Sequence, residues 1–401
     1  MAQTYKFGKD GNWATKKGST LAYSDTNNAF KPLPFSFERN SIATRVNKEG
    51  LIEVVGNDIP RIDYKDSAEG ALLLENSATN LLNYSEDFSQ SSWDIPFGNI
   101  ISNSTISPNG SIDADEFNFI GQTEARIAQS PNLSNGTSYT FSMYIKADEN
   151  GTVQSNMYAD GNNYTTINVT TEWKRINITF VAGSTNIIFA IDNRSFSETL
   201  NKVYIWGAML EQNSVASSYI PTNGSTVQRS AETCNDSGNS EVFNDSEGVL
   251  FADISALAND LTNRGITISD GSVNNRVTMF YTNVSNAIQV KVVVGGSNSL
   301  NSYIVIPNIS LHNKFALKYK QNDFSLFVNG FELITDTSGN TFSNGTLTKL
   351  AFDRGDAAED FYGKTKEIGY YDEILTDEEL EYITSYRSLN EMVTELNLNA
   401  L

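Results

Sequence analysis

Alternation constrains this chain more than any other feature: apolar side chains recur at every second position along much of its length. In YTFSMYIKA, Phe141, Met143 and Ile145 fall on one face, and WKRINITFVAG does the same with Ile176, Ile178 and Phe180. Further on, Phe315, Leu317 and Tyr319 alternate, then Phe324, Leu326 and Val328, before Asn329-Gly330. A period of two places successive side chains on opposite faces of an extended backbone, so each run describes a strand with one side buried. Asn-Gly after such a run favours a tight hairpin, since both residues tolerate positive φ. Turn clusters such as SNGT, ADGNN, VGGSN and TSGN interrupt the chain at short intervals, as in stacked antiparallel sheets. The fold class predicted is all-β.

One helix breaks the pattern. Thr376 stands as an N-cap with Glu379 three residues on, a capping box, and Leu380, Ile383 and Tyr386 follow on one stripe. At 401 residues the chain exceeds what one core holds. Polar breaks near 69–83 and 223–248 divide it. The reading is an N-terminal segment (1–82), a β-sandwich (83–230), a linker (231–247), a second β-sandwich (248–390) and a tail (391–401). The two sandwiches are thus tandem and antiparallel, with one short helix near the C-terminus. No fixed-period repeat occurs, which excludes a solenoid or propeller.

Charge and rare residues exclude whole classes. With 48 acidic against 28 basic residues, the net charge of −20 repels nucleic acid and anionic membranes, and the densest basic cluster is only Lys16 and Lys17. No apolar run approaches the ~18 residues of a membrane span. Nucleic acid and membrane insertion are therefore not expected. Cys234 is the only cysteine, so no intrachain disulfide forms; in AETCNDSG it reads as a solvent-side thiol in a linker. His312 is the only histidine, and a structural or surface role is expected for it. One His and one Cys leave no zinc or heme site, and no nucleotide-binding glycine pattern is present. MAQTYKFGKDGNWATKK lacks an apolar signal core, so synthesis in a cytoplasm is expected.

The stretch from Thr44 to Trp93 contains the phrases PRIDY (Pro60–Tyr64), LLLE (Leu72–Glu75) and TNLL (Thr79–Leu82). It resembles a module of bacteriophage virion proteins, head-spike and tail-fibre proteins among them, where these phrases precede a β-sandwich. The region from about Asn83 to Ser230, with YTFSMYIKA, TTEWKRINITF and VYIWGAMLEQNSVASSYIPT, resembles a carbohydrate-binding-module jelly roll; Met209 stands where that family usually carries Gln. The region from Gly248 to Ser388, with LFADISALA, HNKFALKYKQNDFSLFVNG and EIGYYDEILTDEELEYI, resembles a concanavalin-like or laminin-G-like lectin sandwich. The resemblances imply a virion appendage, a head or tail fibre, that displays glycan-binding sandwiches for host or surface attachment. They also imply an N-terminal virion anchor, with Trp13 available to a partner, a virion-surface location, and a homo-oligomer with a trimer favoured. A purely structural decoration protein is the alternative, followed by a glycan-cleaving enzyme and a bacterial adhesin.

Glycan binding calls for flat aromatics beside amides and carboxylates. NMYADGNNYTTINV offers Tyr158, Asp160, Asn162, Asn163 and Tyr164 around a turn, where the two tyrosines either meet a sugar or pack a hairpin. DGSVNNRVTMFY offers Asn274, Asn275 and Arg276, and FDRGDAAEDFYG offers Asp353, Arg354, Asp356, Asp360 and Tyr362. No cofactor is expected, although the sandwich families often hold a structural calcium, to which Asp353, Asp356 and Asp360 could contribute. Concanavalin-like hydrolases place carboxylates at alternating positions of one strand. In EIGYYDE, Glu367 and Glu373 would share a face, but Gly369 occupies the intervening place and no catalysis is expected. Trp93, Trp173 and Trp206 read as packing residues, with Trp93 the most exposed.

Overall fold

The computed structural model describes residues 4–8, 13–21, 23–24, 32–122, 124–159, 161–195, 197–396 and 398. It is an all-β protein with two short helices, Asp377–Thr384 and Leu389–Glu395, where one was expected. The chain forms two compact units, and each is assembled from separated stretches. One comprises Met1–Asn40, Gly56–Asn76 and Ala231–Leu401, and the other Ser41–Val55 and Ser77–Ser230.

The first unit has a nine-stranded and a five-stranded sheet sharing one hydrophobic core. The strand Gly363–Tyr371 explains why the expected N-terminal segment is not a body of its own. Its residues are buried almost throughout, as in a strand flanked on both sides. Glu247–Ala256 pairs along one edge, and the other edge is filled by Thr4–Phe7 at one end and Ala71–Leu74 at the other. Residues 231–247 are likewise no linker. Thr233–Asn235 pairs with Phe35–Glu38, which puts Cys234 in the core beside Phe35 and Phe37 rather than in solvent. Trp13 is buried in the same core, against the expectation that it would serve a partner.

Polar phrases around these strands are held by a buried ion network. Arg39 donates to Glu232 at 2.7 Å, Arg61 donates to both Glu232 oxygens, and Arg61 also pairs with Glu75 at 2.8 Å. All four residues are at most 3% exposed. Arg61 and Glu75 belong to the PRIDY and LLLE phrases, so those phrases encode a core device.

Local signals hold where the sequence was most explicit. Phe315, Leu317, Tyr319, Phe324, Leu326 and Val328 all enter the core. The Asn329-Gly330 turn has φ of 50° and 88°, as a two-residue hairpin requires. Thr376 and Glu379 form the reciprocal capping box, and Leu380 and Ile383 pack on Val249, Phe251 and Ala316. The helix stops at Thr384, before Tyr386. The expected tail instead carries the second helix, whose Glu391 meets Lys314 at 2.5 Å and whose Glu395 meets Lys366.

The second unit is a two-sheet sandwich, with a five-stranded sheet ordered Asn99–Ile106, Ile112–Asn118, Lys202–Glu211, Ser138–Lys146, Lys174–Val181. Facing it is a four-stranded sheet ordered Arg126–Gln129, Asn186–Asp192, Gly151–Ala159, Tyr164–Val169. Phe141, Met143 and Ile145 meet Val153, Met157 and Ile188 between them. A smaller cluster of Trp206, Met209, Tyr219 and Ile220 packs with Ile52, Ala78 and Val227 from the flanking ribbons. Residues 41–55 and 77–82 therefore belong to this sandwich, whose expected start was 83. Trp93 is 4% exposed and packs its ring at a tilt against Phe88, a correction to its expected exposure.

Candidate functional site

The four-stranded sheet of the second unit has one face in the core and one outside it. On Gly151–Ala159, Val153 and Met157 point inward, so alternation turns Gln154, Asn156 and Tyr158 outward. Register places Asn156 opposite Tyr164 and Gln154 opposite Thr166 on one side, and Asn156 opposite Phe189 and Tyr158 opposite Ile187 on the other. A polar patch thus forms from three neighbouring strands.

Its floor is a hydrogen-bonded unit built on Asn156, which is fully buried. The Asn156 amide donates to Asp192 at 3.0 Å and to Asn162 at 3.1 Å, while its oxygen accepts from the Asn163 backbone N–H at 2.9 Å. Arg194, on the short 3₁₀ turn Asn193–Ser195, grips Asp192 through Nε at 2.8 Å and Nη2 at 2.6 Å. Its guanidinium lies 4.5 Å from the Phe189 ring centroid. Burial favours the neutral Asp192 carboxyl, but hydrogen bonds from Arg194 and Asn156 outweigh it and hold the group below the usual carboxylate range. Burial and the Asp192 charge push the Tyr164 hydroxyl up, so it stays a neutral donor. Gln154 and Thr166 hydrogen-bond each other at 3.1 Å.

Above this floor, Tyr158, Tyr164 and Arg194 are half-buried and Asn162, Asn163 and Thr166 are exposed. Aromatic faces beside fixed amide, hydroxyl and guanidinium groups are what a sugar ring requires: apolar C–H surface to stack on and partners for its hydroxyls. The structure thus brings Tyr158, Asn162, Asn163 and Tyr164 together; Asp160 lies outside the described residues. Sequence reading missed Gln154, Asn156, Asp192 and Arg194. Alternation in VQSNMYA carried a signal for the first two, and nothing local pointed to the others.

Elsewhere in the same unit a concavity of about 700 Å³ is lined by Tyr84, Glu86, Asp87, Asp113, Asp115 and Asn223, among others. Its acids mostly organise loops: Asp115 accepts from the Phe88 and Asn103 backbones, each at 2.9 Å, and Glu86 accepts from the Tyr219 hydroxyl at 2.8 Å. Burial raises both carboxyl groups above their ordinary range.

In the first unit the remaining residues divide. Arg276 donates to the Arg354 carbonyl at 2.7 Å, and Arg354 in turn holds Asp356 at 2.8 Å and Glu359 at 3.0 Å. Asn274 and Asn275 build turns, the latter bonding Asp270 and the Gly295 N–H. Asp353 is buried and accepts from the Gly355 N–H, whereas Asp360 accepts from Tyr362. Asp356 is committed to Arg354, and among the described residues no group of three or more His, Cys, Asp or Glu stands where it could hold a metal ion. The strand bearing Glu367 ends at Tyr371, so Glu373 lies beyond it and the two do not share a strand face. His312 pairs with Asp253 at 3.1 Å. Burial works against the Asp253 charge, but His312 and the nearby Lys366 and Lys314 hold that carboxyl below its usual range.

The family comparison bears on the second unit. Residues 98–195 match a family described as Carbohydrate binding domain, a span that runs from the edge of the five-stranded sheet to Arg194. No curated protein matches the chain. Among solved structures, it is similar to the CBM40 domain of Ruminococcus gnavus IT-sialidase bound to α2,3-sialyllactose, at 16% identity and TM-score 0.30, covering 38% of this chain and 94% of that one. It is also similar to domain 4 of AbnA, a GH43 extracellular arabinanase from Geobacillus stearothermophilus, in complex with arabinotriose: 12% identity, TM-score 0.31, 39% of this chain and 73% of that one. A third similarity is to the heptameric SAP-like pentraxin of Limulus polyphemus, at 13% identity and TM-score 0.27, over 36% and 71%. Within the second unit, residues 98–195 are thus similar in sequence to a carbohydrate binding domain.

Proposed function

We propose that this protein is a non-enzymatic glycan-binding component of a bacteriophage particle, a fibre or spike that attaches the particle to host or environmental saccharides. The observation that carries the binding half is the Asn156–Asp192–Arg194 floor beneath Tyr158 and Tyr164, inside the span that matches a carbohydrate binding domain. A sugar ring stacks on the tyrosines while its hydroxyls bond Arg194, Asn162 and Thr166. The virion half is supported by the resemblance of Thr44–Trp93 to phage head-spike and tail-fibre modules. Weak single sites suit that role, because many copies on one particle raise avidity.

A glycan array probed with the full chain tests the binding, followed by titration of the best hit. Tyr164→Ala removes stacking area and is expected to weaken the hit by roughly tenfold, or ~1.4 kcal/mol. An array without hits, or a hit indifferent to Tyr164→Ala, overturns the assignment. Immunogold labelling of intact particles tests the location, and unlabelled particles refute it.

A further inference from the structure

The first unit carries a separate patch on the outer face of its five-stranded sheet. Core residues Val277, Met279, Val290 and Val292 point inward, so Arg276, Thr278, Phe280, Gln289 and Lys291 point outward. Register continues the face to Asn301 and Tyr303 on the edge strand Ser297–Val305. The loop after Lys349–Ala351 folds over the near side of this face, where Thr267 donates to the Asp353 carbonyl at 2.7 Å and Arg276 to the Arg354 carbonyl. Loop and sheet together form a wall and a floor.

The charge of this corner is unusual for the chain. Arg276 is 7% exposed, and its Nε has no hydrogen-bond partner among the described residues. Neither Arg276 nor Lys291 has a carboxylate within ion-pair distance among those residues, although the chain carries a net charge of −20. The acids whose charges reach this corner, Asp356 and Glu359, are already committed to Arg354. Lys291 sits over the Phe280 ring, 5.2 Å from its centroid. Burial lowers the affinity of Arg276 and of Lys291 for their protons, and adjacent like charges lower it further, against a smaller opposing pull from Asp356 and Glu359. A nearly buried cation without a counter-ion is costly, and a bound anion relieves that cost.

We infer that this face binds an acidic saccharide: a carboxylate or sulfate group seats against Lys291 in the field of Arg276, and the sugar ring covers Phe280 and Tyr303. Gln289 lies between those two rings and donates a 2.6 Å hydrogen bond to Asn301, which stands opposite Lys291, so both amides can receive hydroxyls. Tyr303 is 64% exposed, an edge aromatic open to a ligand. The site is independent of the glycan site in the other unit.

Calorimetric titration of the full chain at low salt tests this with four probes: trigalacturonate, its neutral methyl ester, a sulfated chondroitin tetrasaccharide and tetraglutamate. Trigalacturonate, the sulfated probe or both should bind, the tighter naming the acid group. The methyl ester should bind at least tenfold more weakly than trigalacturonate, and tetraglutamate not at all. Lys291→Gln, at a half-buried residue with no ion-pair or hydrogen-bond partner to lose among the described residues, should keep the fold by circular dichroism and weaken acidic-sugar binding about tenfold or more. Tyr164→Ala should leave that binding unchanged, which separates this site from the other. Silence with both acidic sugars, equal affinity for the ester, equal affinity for tetraglutamate, or indifference to Lys291→Gln each overturns the inference.

Discussion

Replacing Glu232 by Gln removes a single charge at the centre of the first unit's ion network while keeping side-chain size. The carboxylate it replaces accepts from Arg39, from Arg61 and from the Glu75 backbone N–H, the last at 2.9 Å. Arg61 keeps Glu75, and Arg39 keeps the carbonyls of Gly56 and Ile59 but loses its bond to the Glu232 carboxylate. Removing one member of a buried pair costs about 3–5 kcal/mol, because a charge stays out of water without compensation. For a unit of this size each kcal/mol moves the melting temperature by about 2–4 °C, so a loss of roughly 10 °C is expected. The assay follows thermal exposure of the Cys234 thiol, which lies in the same unit and is buried when that unit is folded. Lys349→Gln is the control: it breaks a partly exposed pair with Asp236 at 2.8 Å in the same unit, and pairs of that kind contribute only about 0–1 kcal/mol. A shift below about 2 °C for Glu232→Gln would refute the view that this network organises the unit.

The Cys234 thiol is fully buried, and burial pushes its ionisation well above the usual thiol range, so it should resist a thiol reagent in the native protein and react at once after denaturation. Stoichiometric labelling of the native chain within seconds would contradict the burial. The Asp192 carboxyl, whose ionisation is lowered in the fold, contributes stability that is fully present above the unfolded value of about 3.9 and is lost as pH falls through the lower folded value. Melting of the second unit should therefore lose stability below about pH 4, and Asp192→Asn should flatten that part of the profile while lowering stability near neutrality; an unchanged acid limb would sink the argument.

The strands were legible because each is a local object. Alternation in YTFSMYIKA or KFALKYK marks a buried face regardless of what packs on it, and Asn329-Gly330 marks a turn from two residues alone. The partition of the chain was not legible, because it depends on pairing between distant segments. Thr4 lies opposite Tyr371, and Phe37 opposite Cys234, and no spacing in the sequence announces either. Hydropathy also misleads where charges are buried in pairs. Glu232 sits in a polar run that reads as a linker, yet it is 1% exposed because Arg39 and Arg61 close on it.

The binding faces follow the same division. Tyr158, Asn162 and Tyr164 were visible as an aromatic and amide cluster around one turn, since hairpin neighbours are neighbours in sequence. The group that fixes them was hidden: Asp192 is 36 residues from Asn156 and comes from the next strand over. Arg276 and Arg354 were each visible as a charge in a loop phrase, but what distinguishes them is Lys291, which register alone places beside them. Composition pointed the other way, since a chain with net charge −20 reads as repelling anions. Electrostatics at a site is decided within roughly a Debye length, so a few ångströms of sheet register can hold a cationic corner on an acidic protein. A saccharide that binds there as inferred is therefore expected to be short, since a net charge of −20 repels long polyanions.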